Sequence, residues 1–319
     1  MKAAASSRPQ PSATIRPPSA KEGRRAARPR IRARRWKLVA ALLAVAAMLA
    51  AVFIVISRAP SAPAFTAAET VAMQQASFSG GQKNVSASCP AGTQMVGGGF
   101  SSDPYVTVYS SYPSGPSTWT IEGYDYGSPT TPVPIIAYAT CVQADASLGL
   151  TIASSAATNV RSGTPANVIA SCPASSTVLG GGPQSTYRGR PSYFTDVPIA
   201  FSSYPNNLSS WTAGVAPGNL GASVRAYAIC ARSHVSATKI VSGHLTVTGM
   251  DSTSVQCDTG QLLTQGGYYS DASDDRFKPV YSRPEGPAPA SWSFEARFAY
   301  LGSKIPPSAT IYGICVRYS

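Results

Sequence analysis

Past residue 66 no segment sustains the 3.6-residue apolar period of an amphipathic helix, and strand-like patterns take its place. In the run 292–298, Trp292, Phe294, Ala296 and Phe298 fall on one face, and Ser293, Glu295 and Arg297 on the other. That spacing predicts a half-buried strand with the tryptophan inside. The run 133–141 (VPIIAYATC) is apolar on both faces and predicts a central strand. Gly and Pro, 27 of each, divide the chain into short segments. The pattern predicts an all-β region.

Before that region the pattern changes. Residues 38–56 (LVAALLAVAAMLAAVFIVI) are nineteen apolar residues without a charge. As a helix they would span about 28 Å, close to the hydrocarbon thickness of a bilayer. Arg34, Arg35 and Lys37 precede the run and only Arg58 follows closely, so the positive-inside rule keeps the N-terminus cytoplasmic and sends the rest across. The expectation is a cell-membrane protein, single-pass with its C-terminal part outside. If Ala62-Pro63-Ala64 serves as a cleavage site, the product is instead secreted.

The exported part repeats itself three times. VSASCPAGTQMVGGG, SSYPSGPSTW and AYATCV return as VIASCPASSTVLGGG, SSYPNNLSSW and AYAICA, then as SVQCDTGQLLTQGGY, YSRPEGPAPASW and IYGICV. Internal repetition of this kind decides architecture before local propensity does. The predicted organisation is a disordered basic tail at 1–37, the membrane segment at 38–56, a linker at 57–69, and repeats at 70–144, 145–233 and 234–319. Spacing is fixed around the cysteines, the Gly runs and the closing tyrosines. It varies at 100–109, 183–201 and 268–281, which are expected to be loops reaching away from the core and to carry any binding.

The cysteines change the picture further. Pairing Cys89 with Cys141, Cys172 with Cys230 and Cys257 with Cys315 treats every repeat alike. The rival joins Cys141 to Cys172 and Cys230 to Cys257, which forces Cys89 onto Cys315. Paired cysteines imply an oxidising compartment, in agreement with the membrane segment. The Gly97-Gly98-Gly99 and Gly180-Gly181-Gly182 runs are followed by no Lys-Ser/Thr, so a bulge or tight turn is expected there and not a phosphate cradle.

Charge excludes one class of partner. The chain carries +12 overall, but residues 1–37 hold twelve Lys/Arg against one Glu. From residue 66 onward thirteen basic residues balance thirteen acidic ones, so no nucleic-acid face is implied. Candidate chemistry is sparse. His234 and His244 are the only histidines, and no nucleophile elbow, zinc-protease or CxxC pattern appears. Asp271-x-Ser273-x-Asp275 has the early spacing of a calcium loop without its Gly and distant Glu, so no cofactor or metal is expected. Tyr112 and Tyr204, read as exposed residues before turn prolines, are binding candidates with Arg188, Arg190, Asp271 and Asp275 of the variable segments.

The CPAG…GGG…AYAxC unit resembles a repeat of secreted or anchored bacterial proteins with no established activity, which implies an extracytoplasmic location. A looser likeness, carried by the Cys89-Pro90-Ala91-Gly92 opening and the three Cys-bounded units, is to vitelline membrane outer layer protein I, which implies a three-sided β-prism. The expected fold is therefore an all-β ectodomain of three pseudo-repeats, β-prism-like or as tandem β-sandwiches, preceded by one transmembrane helix. The expected function is non-enzymatic: a cell-surface binding or envelope-structural protein whose partner is a cell-envelope glycan or a surface protein. The alternative is a secreted glycosidase-like hydrolase pairing Asp271 with Glu285 or Glu295.

Overall fold

The computed structural model describes residues 67–318 apart from 128–130, 145–146, 188, 190, 192, 273–276, 288 and 299–305. The basic tail, the apolar run 38–56 and most of the linker lie outside the described residues. Among the described residues no helix is long and apolar enough to cross a membrane.

The strands group by repeat. The first contributes β1 (Ala67–Phe78), β2 (Gly81–Ser88), β3 (Gln94–Ser102), β4 (Val106–Gly115), β5 (Thr118–Asp125) and β6 (Val133–Ala144). The second contributes β7 (Thr151–Ser154), β8 (Thr158–Val160), β9 (Ala166–Ser171), β10 (Thr177–Tyr187), β11 (Ile199–Asn207), β12 (Ser210–Ala216) and β13 (Ala222–Ala231). The third contributes β14 (Val235–Thr246), β15 (Met250–Gln256), β16 (Leu262–Ser270), β17 (Phe277–Glu285), β18 (Ser291–Phe298) and β19 (Ser308–Tyr318). The alternation in 292–298 holds: Trp292, Phe294, Ala296 and Phe298 are buried in β18. The run 133–141 is central, with β6 flanked by β1 and β3.

Each repeat splits its strands between two sheets, and two of the four sheets are shared between repeats. One six-stranded sheet runs β1-β6-β3-β17-β18-β15, joining repeat 1 to repeat 3. Another runs β14-β19-β16-β11-β12-β9, joining repeat 3 to repeat 2. The junctions are short: Tyr281 and Ser282 pair with Ser101 and Phe100, and Ser202 and Ser203 pair with Tyr269 and Tyr268. The third combination, β7 and β8 on β13, then β10, beside β4-β5-β2, is divided into two sheets. Pro183 stands where Phe100 and Tyr268 stand in the other two, and it has no N–H to give to a ladder. Ser110 substitutes for the missing rung. Its hydroxyl donates to the Ser185 carbonyl (3.1 Å) and accepts from the Ser185 N–H (2.9 Å).

Disulfides join Cys89 to Cys141, Cys172 to Cys230 and Cys257 to Cys315, so the repeat-internal pairing is the one present. Trp119, Trp211 and Trp292 are fully buried, and each indole N–H donates to a serine, Ser111, Ser203 or Ser282, at 2.9–3.1 Å.

The glycine runs explain the close packing. A bulge falls in each, between Met95 and Gly97, Val178 and Gly180, and Leu263 and Gln265. A Cβ at Gly98, Gly181 or Gly266 would overlap the indole of its own repeat. A Cβ at Gly99, Gly182 or Gly267 would strike the carbonyl of Ser282, Ser111 or Ser203 on the adjoining repeat. One glycine admits the tryptophan and the next admits the neighbour. Gln265 takes the place of the first glycine of the run in the last repeat. Its amide is buried and pairs with Gly181, accepting from the N–H (2.8 Å) and donating to the carbonyl (2.7 Å).

The buried side chains form two clusters, and neither belongs to one repeat. The larger draws on repeats 1 and 3 with Phe201, Ala216 and Ile229 of repeat 2. The smaller centres on repeat 2 and includes Val96, Val142, Ile314 and Val316.

Two sequence expectations are corrected. The variable segments are not wholly loops: 100–102, 106–109, 183–187, 199–201, 268–270 and 277–281 are strand, and the excursions shrink to the stretches between them. The SSYP elements are not turns either. Tyr112 and Pro113 pair with Thr120 and Trp119 inside the β4–β5 ladder, and a bulge after Pro113 absorbs its missing donor. The chain reverses a few residues later.

Candidate functional site

The recurring aromatic residues meet where one repeat adjoins the next. Tyr112 of repeat 1 stacks on Tyr227 of repeat 2 with ring centroids 5.4 Å apart. Tyr204 of repeat 2 stacks on Tyr312 of repeat 3 at 5.3 Å, with Tyr269 edge-on at 5.6 Å. At the third seam Arg283 holds the position of the missing tyrosine and engages the Tyr138 hydroxyl. The SYP residue of one repeat thus always meets the closing Tyr of another. Tyr112 is 9% exposed and Tyr204 half-buried, so neither is the open platform that the turn reading required.

The three seams differ in chemistry. Between repeats 1 and 2 the residues are tyrosines and amides, with Glu122 among them. Tyr109 packs edge-on against Tyr187 (5.4 Å). The Tyr187 hydroxyl donates to Gln82 (3.0 Å) and the Tyr227 hydroxyl to Gln184 (2.9 Å). Burial pushes the Glu122 carboxyl above its ordinary value, and a hydrogen bond from Ser110 offsets part of this. Burial also raises the Tyr109 and Tyr112 hydroxyls, with the nearby Glu122 charge adding to it. Between repeats 3 and 1 charge dominates. Arg283 lies over the Tyr281 ring (4.7 Å) and 3.6 Å from Glu285. Glu295 is raised by burial, against a hydrogen bond from Tyr281 and the Arg283 charge. Between repeats 2 and 3 the tyrosine stack is joined by the Gln265–Gly181 pair and by the Tyr268 hydroxyl, which donates to the Ala200 carbonyl (2.9 Å).

Of the other predicted binding residues, Arg188, Arg190 and Asp275 lie outside the described residues. Asp271 is exposed, but its two oxygens accept from the Ser308 N–H and hydroxyl, both at 2.8 Å. It ties the end of β16 to the start of β19. Among the described residues no cluster of three or more His, Cys, Asp or Glu is placed to hold a metal.

Sequence reasoning passed over the outer surface of repeat 2. Two grooves open there. One, of about 460 Å³, is lined by Asn159, Val160, Arg161, Ser162 and 219–222. The other, of about 210 Å³, is lined by Ala157, Gln184, Thr186, Ser223, Val224 and Arg225. The available signal was the residue two before the closing Tyr: Ile136 in repeat 1, Arg225 in repeat 2 and Thr310 in repeat 3. No protein-family model matches this sequence, and no curated protein matches it significantly.

Proposed function

We propose that this chain is a non-enzymatic binding or envelope-structural protein working outside the cytoplasm. Its three repeats form the faces of a β-prism, and the 38–56 segment holds it at the membrane. One observation carries the reading: every chemical feature that recurs is used on assembly. The cysteines close the repeats, the tryptophans and glycines pack them, and the SYP and closing tyrosines join each to the next. What remains on the outside differs from face to face, as in a scaffold presenting unlike surfaces to a large partner. Disulfides inside every repeat support an oxidising compartment.

The test is a binding survey with the full chain in neutral detergent, against cell-wall polysaccharides, peptidoglycan and surface-protein fractions. Saturable retention by at least one class is expected. Failure to retain any of them would overturn the reading.

A further inference from the structure

Repeat 2 breaks the threefold pattern in its first strand. In repeats 1 and 3 that strand is continuous: β1 pairs along its whole length with β6, and β14 runs beside β19 from Val235 to Thr246. In repeat 2 it is cut in two. β7 pairs with Cys230–Tyr227 and β8 with Val224–Ala222, and 155–157 leave the ladder between them. Ser155 makes the break. Its N–H donates to the Ala226 carbonyl (2.9 Å), and its hydroxyl takes the Ala226 N–H (3.0 Å) that a neighbouring carbonyl would otherwise receive. Both grooves adjoin β8: Asn159 and Val160 line one, and Ser223 and Val224, which pair with β8, line the other.

Their chemistry is one-sided. Ser223, Arg225 and Tyr227 alternate with buried residues along β13, so they share the outer face. Gln184 and Thr186 lie opposite Arg225 and Ser223. Arg161 is exposed and Arg225 half-buried, and neither side chain has a hydrogen bond or ion pair among the described residues. No Asp or Glu lines either groove. The carboxylate of Asp196 is buried and turned to the Tyr193 N–H and the Asn219 amide.

We infer that this surface binds an acidic glycan, a sugar polymer bearing carboxylates, across the two arginines. A guanidinium forms a bidentate pair with a carboxylate. The amide nitrogen of Gln184 and the hydroxyls of Ser223 and Thr186 are groups of the kind that exchange hydrogen bonds with sugar hydroxyls. A Cβ at Gly221 would lie 4.0 Å from the Arg161 Cα, and Gly221 stands four residues before Arg225. At about 3.3 Å per residue the two arginines leave the backbone about 13 Å apart, so a polymer engages both and a single sugar acid only one. Two cations are too few for the footprint of a nucleic acid.

This site rests on the surface-binding reading above, and the experiment separates them. The full chain in neutral detergent is titrated with polygalacturonate, monomeric galacturonate, dextran and polyglutamate. Polygalacturonate should bind far more tightly than the monomer, weaken with added salt, and exceed dextran and polyglutamate. Arg225→Ala and Arg161→Ala should each weaken it about tenfold or more, as expected for loss of a charge-assisted pair. Arg225→Lys should recover part of the loss, and Arg232→Ala, at another exposed arginine, should leave it unchanged. Intact disulfides and an unaltered tryptophan emission show that each variant is folded. Equal binding of dextran or polyglutamate overturns the acidic-glycan assignment. Wild-type binding by the double Arg161, Arg225 variant overturns the site but not the surface-binding reading. No polygalacturonate binding with retention in the broader survey does the same, and silence in both defeats both.

Discussion

At the scale of single residues, the least expected group is Glu69. It is 4% exposed in β1, with its carboxyl accepting from the Tyr318 hydroxyl at 3.5 Å. Burial pushes it up to about 8 from its ordinary 4.5, and the Tyr318 hydrogen bond only partly opposes this. The unfolded chain therefore sheds this proton first as pH rises. Stability is full below about 4.5, declines through the window up to about 8, and is level above it. Each pH unit crossed inside that window costs about 1.4 kcal/mol, so the whole decline is on the order of a few kcal/mol. Glu69→Gln keeps the shape and removes the titration. Urea midpoints at pH 5 and pH 8 should differ for the natural chain and coincide for the variant, apart from whatever slope other groups contribute. Equal slopes in both would show that Glu69 is not held neutral. Nothing in the sequence warns of this residue, because an isolated Glu in an apolar alternation reads as the outer face of a strand.

At the scale of elements, the seams are built by strand ends that bring tyrosines from different repeats together. The Tyr204–Tyr312 stack should show a coupling of about 0.5–1.5 kcal/mol in a double-mutant cycle with alanine at each position, the usual yield of an aromatic pair. Coupling near zero would mean the rings merely coincide. The recurrence of these tyrosines was legible in the sequence and their role was not. Each ring's partner is in another repeat, and a pattern repeated along a chain does not say whether its copies touch themselves or each other. Intra-repeat features were easier. The Cys pairs, the alternation around Trp292 and the bulge at the Gly runs all depend on residues close in sequence or tied by identical spacing. The SSYP elements mislead for a local reason: a proline after polar residues signals a turn, whereas here a bulge accommodates it inside a strand. The grooves beside β8 depend on Ser155 replacing one backbone bond, which no periodicity reveals.

At the scale of the molecule, both buried clusters collect residues from all three repeats. Heat should therefore unfold the described body in one transition and not repeat by repeat. Removing one disulfide, as Cys172→Ala with Cys230→Ala, opens a loop with a sequence separation of 58. On the chain-entropy model that costs about 4 kcal/mol. Calorimetry should show the single peak moved to lower temperature. A separate early peak for repeat 2 would mean that the repeats are independent bodies.

The division of each repeat between two sheets also orders events in time. While only the first repeat is in place, β3 and β4 each have an edge with nothing beside it. Beside β4 comes β10, joined to it through the Ser110 side chain, and β10 follows soon after. The partner of β3 is β17, residues Phe277–Glu285, near the end of the chain. Repeat 1 can form its disulfide and bury Trp119 early, yet one of its edges must wait for almost the whole polypeptide. An uncovered strand edge is a template for pairing with another molecule. A chain truncated before β17 should thus be prone to join a second copy through β3, and the interval before completion is when a growing chain most needs to be kept apart from its neighbours.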